Sequence, residues 1–81
     1  MDRRFVPRRP VSVLGHVLTR TRSVFCRVLD LSDGGARIRS AQAETIPNQF
    51  NLHVPSEGLT RTGAVQWRRG GQLGVKFDEP G

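Results

Sequence analysis

A cluster of arginines near the start of the chain is the first candidate for chemistry. Arg4 and Arg8 stand four positions apart in a segment that Pro7 keeps from being helical, and Arg3 and Arg9 flank the pair. A guanidinium group is a planar fork that binds a phosphate with two hydrogen bonds and stacks on a nucleobase. The cluster therefore predicts a segment that holds phosphates. The simpler alternative is a solvated basic arm.

A second cluster follows a strand-like run of apolar residues. Asp30 and Ser32 are two positions apart, so their side chains are predicted on one side of a strand, and Gly35 comes three positions later. The Asp30 carboxylate can accept hydrogen bonds from a guanine edge, and Gly35 lets the backbone approach a ligand without a Cβ in the way. The segment Asp33-Gly34-Gly35 is a turn signal, because glycine adopts positive φ at little cost. The alternative here is a plain strand end with an Asx-type turn.

The two clusters together have the groups that a ligand with phosphates and purines needs. Phosphates call for guanidinium forks, base faces for flat cations or aromatic rings, and guanine edges for carboxylate or carbonyl acceptors. The sequence therefore predicts one site built from two separate segments.

Composition limits the kind of protein. Eighty-one residues suffice for one small domain, and the formal net charge of +6 favours an anionic partner. Twelve arginines stand against a single lysine, Lys76. The lone Cys26 in an apolar run indicates a reducing compartment. No apolar stretch of the sequence is long enough to span a membrane. The Arg- and Pro-rich start is not a secretory signal. We expect a cytoplasmic protein without membrane insertion.

The chain divides into a basic arm over residues 1–10, expected to be flexible, and a single β-domain over residues 11–81. Alternating apolar residues and turn signals predict six short strands and no long helix, which is typical of a small antiparallel barrel or sandwich. The predicted strands span residues 11–17, 24–31, 36–39, 50–54, 63–68 and 73–77, with a helical turn over 41–45 that ends before Pro47. In the fifth strand, Val65 and Trp67 are expected on one face and Gln66 and Arg68 on the other.

Nearly the whole chain resembles the PilZ domain family of bacterial cyclic di-GMP receptors. The resemblance is carried by four segments in the order and spacing of the family, namely the R-x-x-x-R start with the following Pro-Val, the D-x-S-x-x-G turn, a G-x-V-x-W strand over 63–67 and a G-V-x-F strand over 74–77. Each pattern alone is weak, and the four together are specific.

The resemblance implies a fold, a ligand and the residues that hold it. The fold is a six-stranded antiparallel β-barrel, all-β, and the function is that of a second-messenger receptor rather than an enzyme. Arg4 and Arg8 hold phosphates and stack on guanine, while Asp30, Ser32 and Gly35 line the opposite wall. Arg3 and Arg9 add phosphate contacts, and Trp67 is a secondary contact, although a structural role at the barrel wall is an equally good interpretation.

The resulting hypothesis is a cyclic di-GMP receptor, monomer or weak dimer, whose arginine arm closes over the ligand and signals to a partner protein. The alternative is a PilZ-like interaction module that binds no nucleotide. A nucleic-acid-binding barrel is disfavoured because the chain has no Tyr, one Trp and four Phe. No catalytic grouping is recognisable, no cofactor is expected, and His16 and His53 are isolated in sequence, so no metal role is predicted. The remaining outer arginines, Arg37, Arg39, Arg61, Arg68 and Arg69, are expected to be solvated.

Overall fold

The computed structural model describes residues 9–78, which form a closed antiparallel β-barrel. Its strands are β1 (Arg9–Leu18), β2 (Ser23–Leu31), β3 (Gly35–Arg39), β4 (Gln49–Val54), β5 (Leu59–Arg69) and β6 (Gln72–Phe77). Two 3-10 turns, Ala43–Thr45 and Pro55–Glu57, flank β4. Around the barrel the strands follow the order β1-β2-β3-β6-β5-β4. The predicted six-stranded antiparallel barrel is confirmed.

The barrel interior is filled by the apolar residues that alternate along the strands. Buried side chains come from five of the six strands, while β5 packs the partly buried Leu59 and Val65 against them. The 3-10 turn before β4 and the residue after it add Ala43 and Ile46 to the core. The largest fully buried side chains are Ile38, Ile46, Leu52, Leu73, Val17, Val28 and Val54. Burying such side chains removes them from water and supplies most of the driving force for folding.

Every strand is longer than predicted, and two of them start at least two residues earlier. The first strand begins at Arg9 rather than Val11, because Arg9 pairs with Leu31 and Pro10 with Asp30. The fifth begins at Leu59 rather than at residue 63, since the polar residues there continue the ladder with β4. Polar strand residues on the outer face interrupt the apolar pattern from which strand limits were predicted.

The hairpin between β5 and β6 shows its turn chemistry directly. Its two-residue loop is Gly70-Gly71, and both glycines have positive φ, at 55° and 78°. Positive φ at both loop positions is the requirement of the type I′ turn, whose twist matches that of paired strands.

Across residues 9–78 the structure contains no helix long and apolar enough to cross a membrane.

Candidate functional site

Asp30 lies on the outer face of the barrel because of a β-bulge. Val24, Cys26 and Val28 are buried at alternate positions of β2, so strict alternation would bring Asp30 into the core. The pairing with β3 instead shifts between Val28 and Asp30, and the next buried residue is Leu31. The bulge therefore turns the carboxylate outward while the apolar residues on both sides stay in the core.

The outward carboxylate of Asp30 forms an ion pair with the neighbouring strand. Arg37 stands directly opposite on β3, and its Nε lies 2.9 Å from Oδ2 of Asp30. The Asp30 side chain is 14% exposed and that of Arg37 45% exposed. Arg37 was expected to be solvated, and it is exposed, but the expectation did not include this ion pair. The turn itself contained the signal, because pairing Ser32 with Gly35 places position 37 opposite position 30.

Ser32 and Gly35 form the ends of the turn between β2 and β3. The backbone N–H of Ser32 donates to the carbonyl oxygen of Gly35 at 2.9 Å, and the Ser32 hydroxyl donates to the same oxygen at 3.3 Å. Ser32 is half-buried and Asp33 and Gly34 are exposed at the tip. The turn is therefore held by its own hydrogen bonds and presents the Ser32 side chain next to the Asp30 strand end.

The two glycines of this turn do not need the conformational freedom that the sequence suggested. Neither Gly34 nor Gly35 has positive φ, so that explanation of the turn was wrong. A Cβ on Gly35 would instead run into the carbonyl oxygen of Val75 on β6. Gly35 is thus needed because the backbones of β3 and β6 lie very close together at this point, whether or not a ligand also binds at the turn.

Of the predicted arginine contacts, only Arg9 belongs to the described residues. Its Cα pairs with that of Leu31, and Pro10 pairs with Asp30, so β1 begins beside the carboxyl end of β2. Arg3, Arg4 and Arg8 lie outside the described residues, and their roles stay predictions.

Comparison with known families decides the assignment. The family model of the PilZ domain matches residues 2–81, essentially the whole chain. This chain belongs to the PilZ domain family. PilZ domains are in general cyclic di-GMP receptors and effectors rather than enzymes, although some of them bind no nucleotide. A search of curated proteins gives no match.

Trp67 of this PilZ domain lies on the outer face rather than beside Val65. A bulge between Val65 and Trp67 breaks the alternation of β5, so the predicted common face was wrong. The indole covers Gly74 of β6, where any Cβ would collide with it, and Trp67 remains 44% exposed. Gly74 in turn pairs with Arg37.

One outer row of residues therefore crosses four strands of the PilZ barrel. In order across the strands it consists of Asp30, Arg37, Gly74 and Trp67, and consecutive members of the row are cross-strand neighbours. With strands about 4.8 Å apart, the row is roughly 14 Å long. Its chemistry is an acceptor, a cation and an aromatic face on one continuous surface.

The same bulge turns Arg68 toward the end of the barrel. Arg68 pairs with the buried Leu73, and its guanidinium donates to the carbonyl oxygens of Ala43 at 2.7 Å and Ile46 at 2.6 Å. It also donates to Oδ1 of Asn48 at 2.9 Å. Arg68 was expected to be solvated, and this was wrong, because it holds the 3-10 turn against the barrel.

The three other arginines that were expected to be solvated differ in the contacts of their side chains. Arg61 donates to the carbonyl oxygen of Asp78 at 3.0 Å, and its guanidinium lies 4.9 Å from the centre of the Phe77 ring, so it is not simply solvated. Arg39 and Arg69 are exposed, and their side chains form no hydrogen bond or ion pair with any residue between 9 and 78. These two match the expectation and provide matched controls for substitutions at Arg37 and Arg68.

Proposed function

We propose that this PilZ domain is a cytoplasmic receptor for cyclic di-GMP. The ligand binds on the outer face beside the β2–β3 turn, the arginine arm orders over it, and a partner protein recognises the ordered arm. In this proposal the protein is a monomer or weak dimer and performs no catalysis.

The observation that carries the proposal is the pairing of Pro10 with Asp30 at the start of β1. Arg8 precedes Arg9 in the chain, and consecutive Cα atoms are about 3.8 Å apart. Arg8 is the second arginine of the R-x-x-x-R motif. It is therefore one residue away in the chain from Arg9, whose Cα pairs with Leu31 between Asp30 and Ser32. This connectivity supports a site assembled from the two motifs.

Each residue has a role in the proposed site. Arg4 and Arg8 bind the phosphates and stack on guanine, with Arg3 and Arg9 adding phosphate contacts. The Asp30 carboxylate accepts from the guanine N1 and N2 hydrogens. The remaining contacts come from Ser32, Gly35 and the indole face of Trp67.

A second candidate function is a PilZ-type interaction module that binds no nucleotide. The observation that favours it is the 2.9 Å ion pair between Arg37 and Asp30, because the proposed guanine acceptor already has a charged partner. Ligand binding must then share or displace this contact, at a cost in affinity.

Calorimetric titration of the full chain with cyclic di-GMP tests the proposal, with GTP as the control ligand. We expect saturable binding of the dinucleotide only, with a stoichiometry that distinguishes one bound dinucleotide from a stacked pair. Arg8→Ala and Asp30→Asn should each weaken binding at least tenfold, since each removes a charge-assisted hydrogen bond.

Arg39→Ala is the matched control, because Arg39 is an exposed arginine of β3 outside the proposed contacts. Its affinity should stay within twofold of the wild type. Arg8→Ala should leave the Tm of the free protein unchanged, and a protein that unfolds without Arg8 contradicts the arm mechanism. A folded wild-type protein that gives no heat with the dinucleotide favours the interaction module instead.

A further inference from the structure

The barrel brings the two histidines of the chain together on its outer face. His16 of β1 and His53 of β4 are directly opposite each other in the antiparallel pairing of these strands. Their ring centroids are 6.1 Å apart, with an angle of 32° between the ring planes. The distance between them in the sequence concealed this pair, and the expectation that neither binds a metal rested on that distance.

The spacing of the two rings suits a shared metal ion. Zinc lies about 2.0–2.1 Å from an imidazole nitrogen, so two imidazoles on one ion have centroids roughly 5–6 Å apart. The observed 6.1 Å is close to this range, and a small rotation of two half-buried surface side chains closes the difference.

His53 also has the hydrogen bond that a ligating histidine needs. Its Nδ1 lies 2.7 Å from the hydroxyl oxygen of Thr60 on β5. When Nδ1–H donates to this oxygen, Nε2 keeps its lone pair for a metal, and the ring orientation is held by the same bond.

The cross-strand neighbours of the two histidines carry no positive charge. Across the strands His16 is flanked by Phe25 of β2, whose ring centroid is 5.1 Å away, and His53 by Thr60 of β5. The nearest guanidinium on β2 belongs to Arg27, and it donates to the carbonyl and hydroxyl oxygens of Ser12 at 3.3 Å, toward the start of β1.

We propose that His16 and His53 bind one divalent d-block ion, of which Zn²⁺ is the representative. Within residues 9–78 no group of three or more His, Cys, Asp or Glu can hold a metal, so the protein supplies two imidazoles and water completes the coordination. The ion bridges β1 and β4, whose three paired positions are the shortest ladder of the barrel. It therefore stabilises the strand pairing that closes the barrel.

Calorimetric titration of the full chain with Zn²⁺, Cu²⁺ and Mg²⁺ near neutral pH is the first test. We expect one site per chain, with Cu²⁺ bound more tightly than Zn²⁺ and no binding of Mg²⁺, which prefers oxygen ligands. At a hundredfold excess of free Zn²⁺ over its dissociation constant, Tm should rise by roughly 10 °C or more.

Variants then locate the site. His16→Gln and His53→Gln should each weaken Zn²⁺ binding at least tenfold, and Thr60→Val should weaken it by about 10–100-fold because the ring loses its supporting hydrogen bond. Asn51→Ala is the matched control on β4. Asn51, two residues before His53, accepts a hydrogen bond from the Thr62 hydroxyl, and replacing it leaves both imidazoles in place.

A measurement on the unaltered protein covers the case in which a variant fails to fold. Sub-stoichiometric Cu²⁺ should broaden the amide resonances of His16, His53 and their strand neighbours and leave those of Gly70 and Gly71 sharp. Broadening that avoids the histidines, affinity that survives both histidine substitutions, or a folded protein that binds neither Zn²⁺ nor Cu²⁺ overturns the proposal.

Discussion

At the scale of the residue, the charge of Asp30 is balanced in part by its neighbour Arg37 in the outer row. A carboxylate that is largely covered keeps little of its hydration, so a nearby cation offsets part of that loss. Arg37 supplies it through Nε, and because its own side chain is about half exposed, water screens the attraction. The pair therefore orients the Asp30 carboxylate more than it stabilises the fold.

Arg37→Ala should lower the free energy of unfolding by about 1 kcal/mol, because it leaves a largely covered carboxylate without this partner. Chemical denaturation monitored by circular dichroism measures the change. Arg39→Ala, on the same face of β3, should stay within about 0.5 kcal/mol of the wild type. Equal effects of the two substitutions would show that the ion pair contributes nothing specific.

Cys26 is a second residue whose environment sets its chemistry. Its side chain is 4% exposed in the core, and burial raises the pKa of its thiol to about 11. The neutral thiol is therefore the form present in the folded protein near pH 7, and it is a poor nucleophile.

The raised pKa of Cys26 predicts a loss of stability in alkaline solution. From about pH 9 to 11 the unfolded chain releases the thiol proton while the folded chain keeps it, so unfolding is favoured as pH rises. The free energy of unfolding should fall by up to about 1.4 kcal/mol per pH unit in this window. Denaturation at several pH values checks it, and Cys26→Ala should remove this part of the slope. The absence of tyrosine from the chain simplifies the comparison.

At the scale of elements, the β2–β3 turn shows how one glycine sets the distance between strands. Gly35 begins β3, and the N–H of Phe77 on β6 donates to the carbonyl oxygen of Gly34 at 2.9 Å. Two backbones thus meet at this turn with no room for a side chain between them.

Gly35→Ala and Gly34→Ala should therefore differ sharply although they are adjacent. The first forces a Cβ against the carbonyl of Val75 and should cost at least about 2 kcal/mol of unfolding free energy. The second meets no atom within 4 Å and should be neutral or stabilising by up to about 1 kcal/mol. Thermal and urea denaturation of both variants measures this. Similar losses in the two variants would contradict the packing explanation of Gly35.

The positions of the strands were largely predictable from the sequence. Which side chains of β2 and β5 face the core and which face outward was not. Alternation of apolar residues located all six strands, and the pairing of Asp30 with Arg37 follows from the turn that joins their strands. The bulges in β2 and β5 reversed the alternation before Asp30 and before Trp67. A bulge adds one residue without changing composition, so periodicity alone does not reveal it.

At the scale of the whole molecule, charge works against compaction. Thirteen basic residues against seven acidic ones give a formal net charge of +6 on 81 residues. Folding brings like charges closer together, and their mutual repulsion destabilises the compact state.

Salt should therefore stabilise the free protein. Raising NaCl from about 50 mM to about 500 mM shortens the screening length severalfold and weakens the repulsion, so Tm should rise by a few degrees. Differential scanning calorimetry measures the change. A Tm that falls over this range would mean that ion pairs such as Arg37 with Asp30 outweigh the net repulsion.

The sequence by itself determined the all-β class, the number of strands, the positions of the turns and the membership of a family. These follow from local patterns, since alternation and turn residues act over a few positions of the chain. Only the tertiary structure decided that Asp30 faces outward, that Arg68 turns to the barrel end, and that His16 meets His53 across the closing ladder. Bulges and barrel closure set these relations, because they depend on which strands become neighbours and in which register.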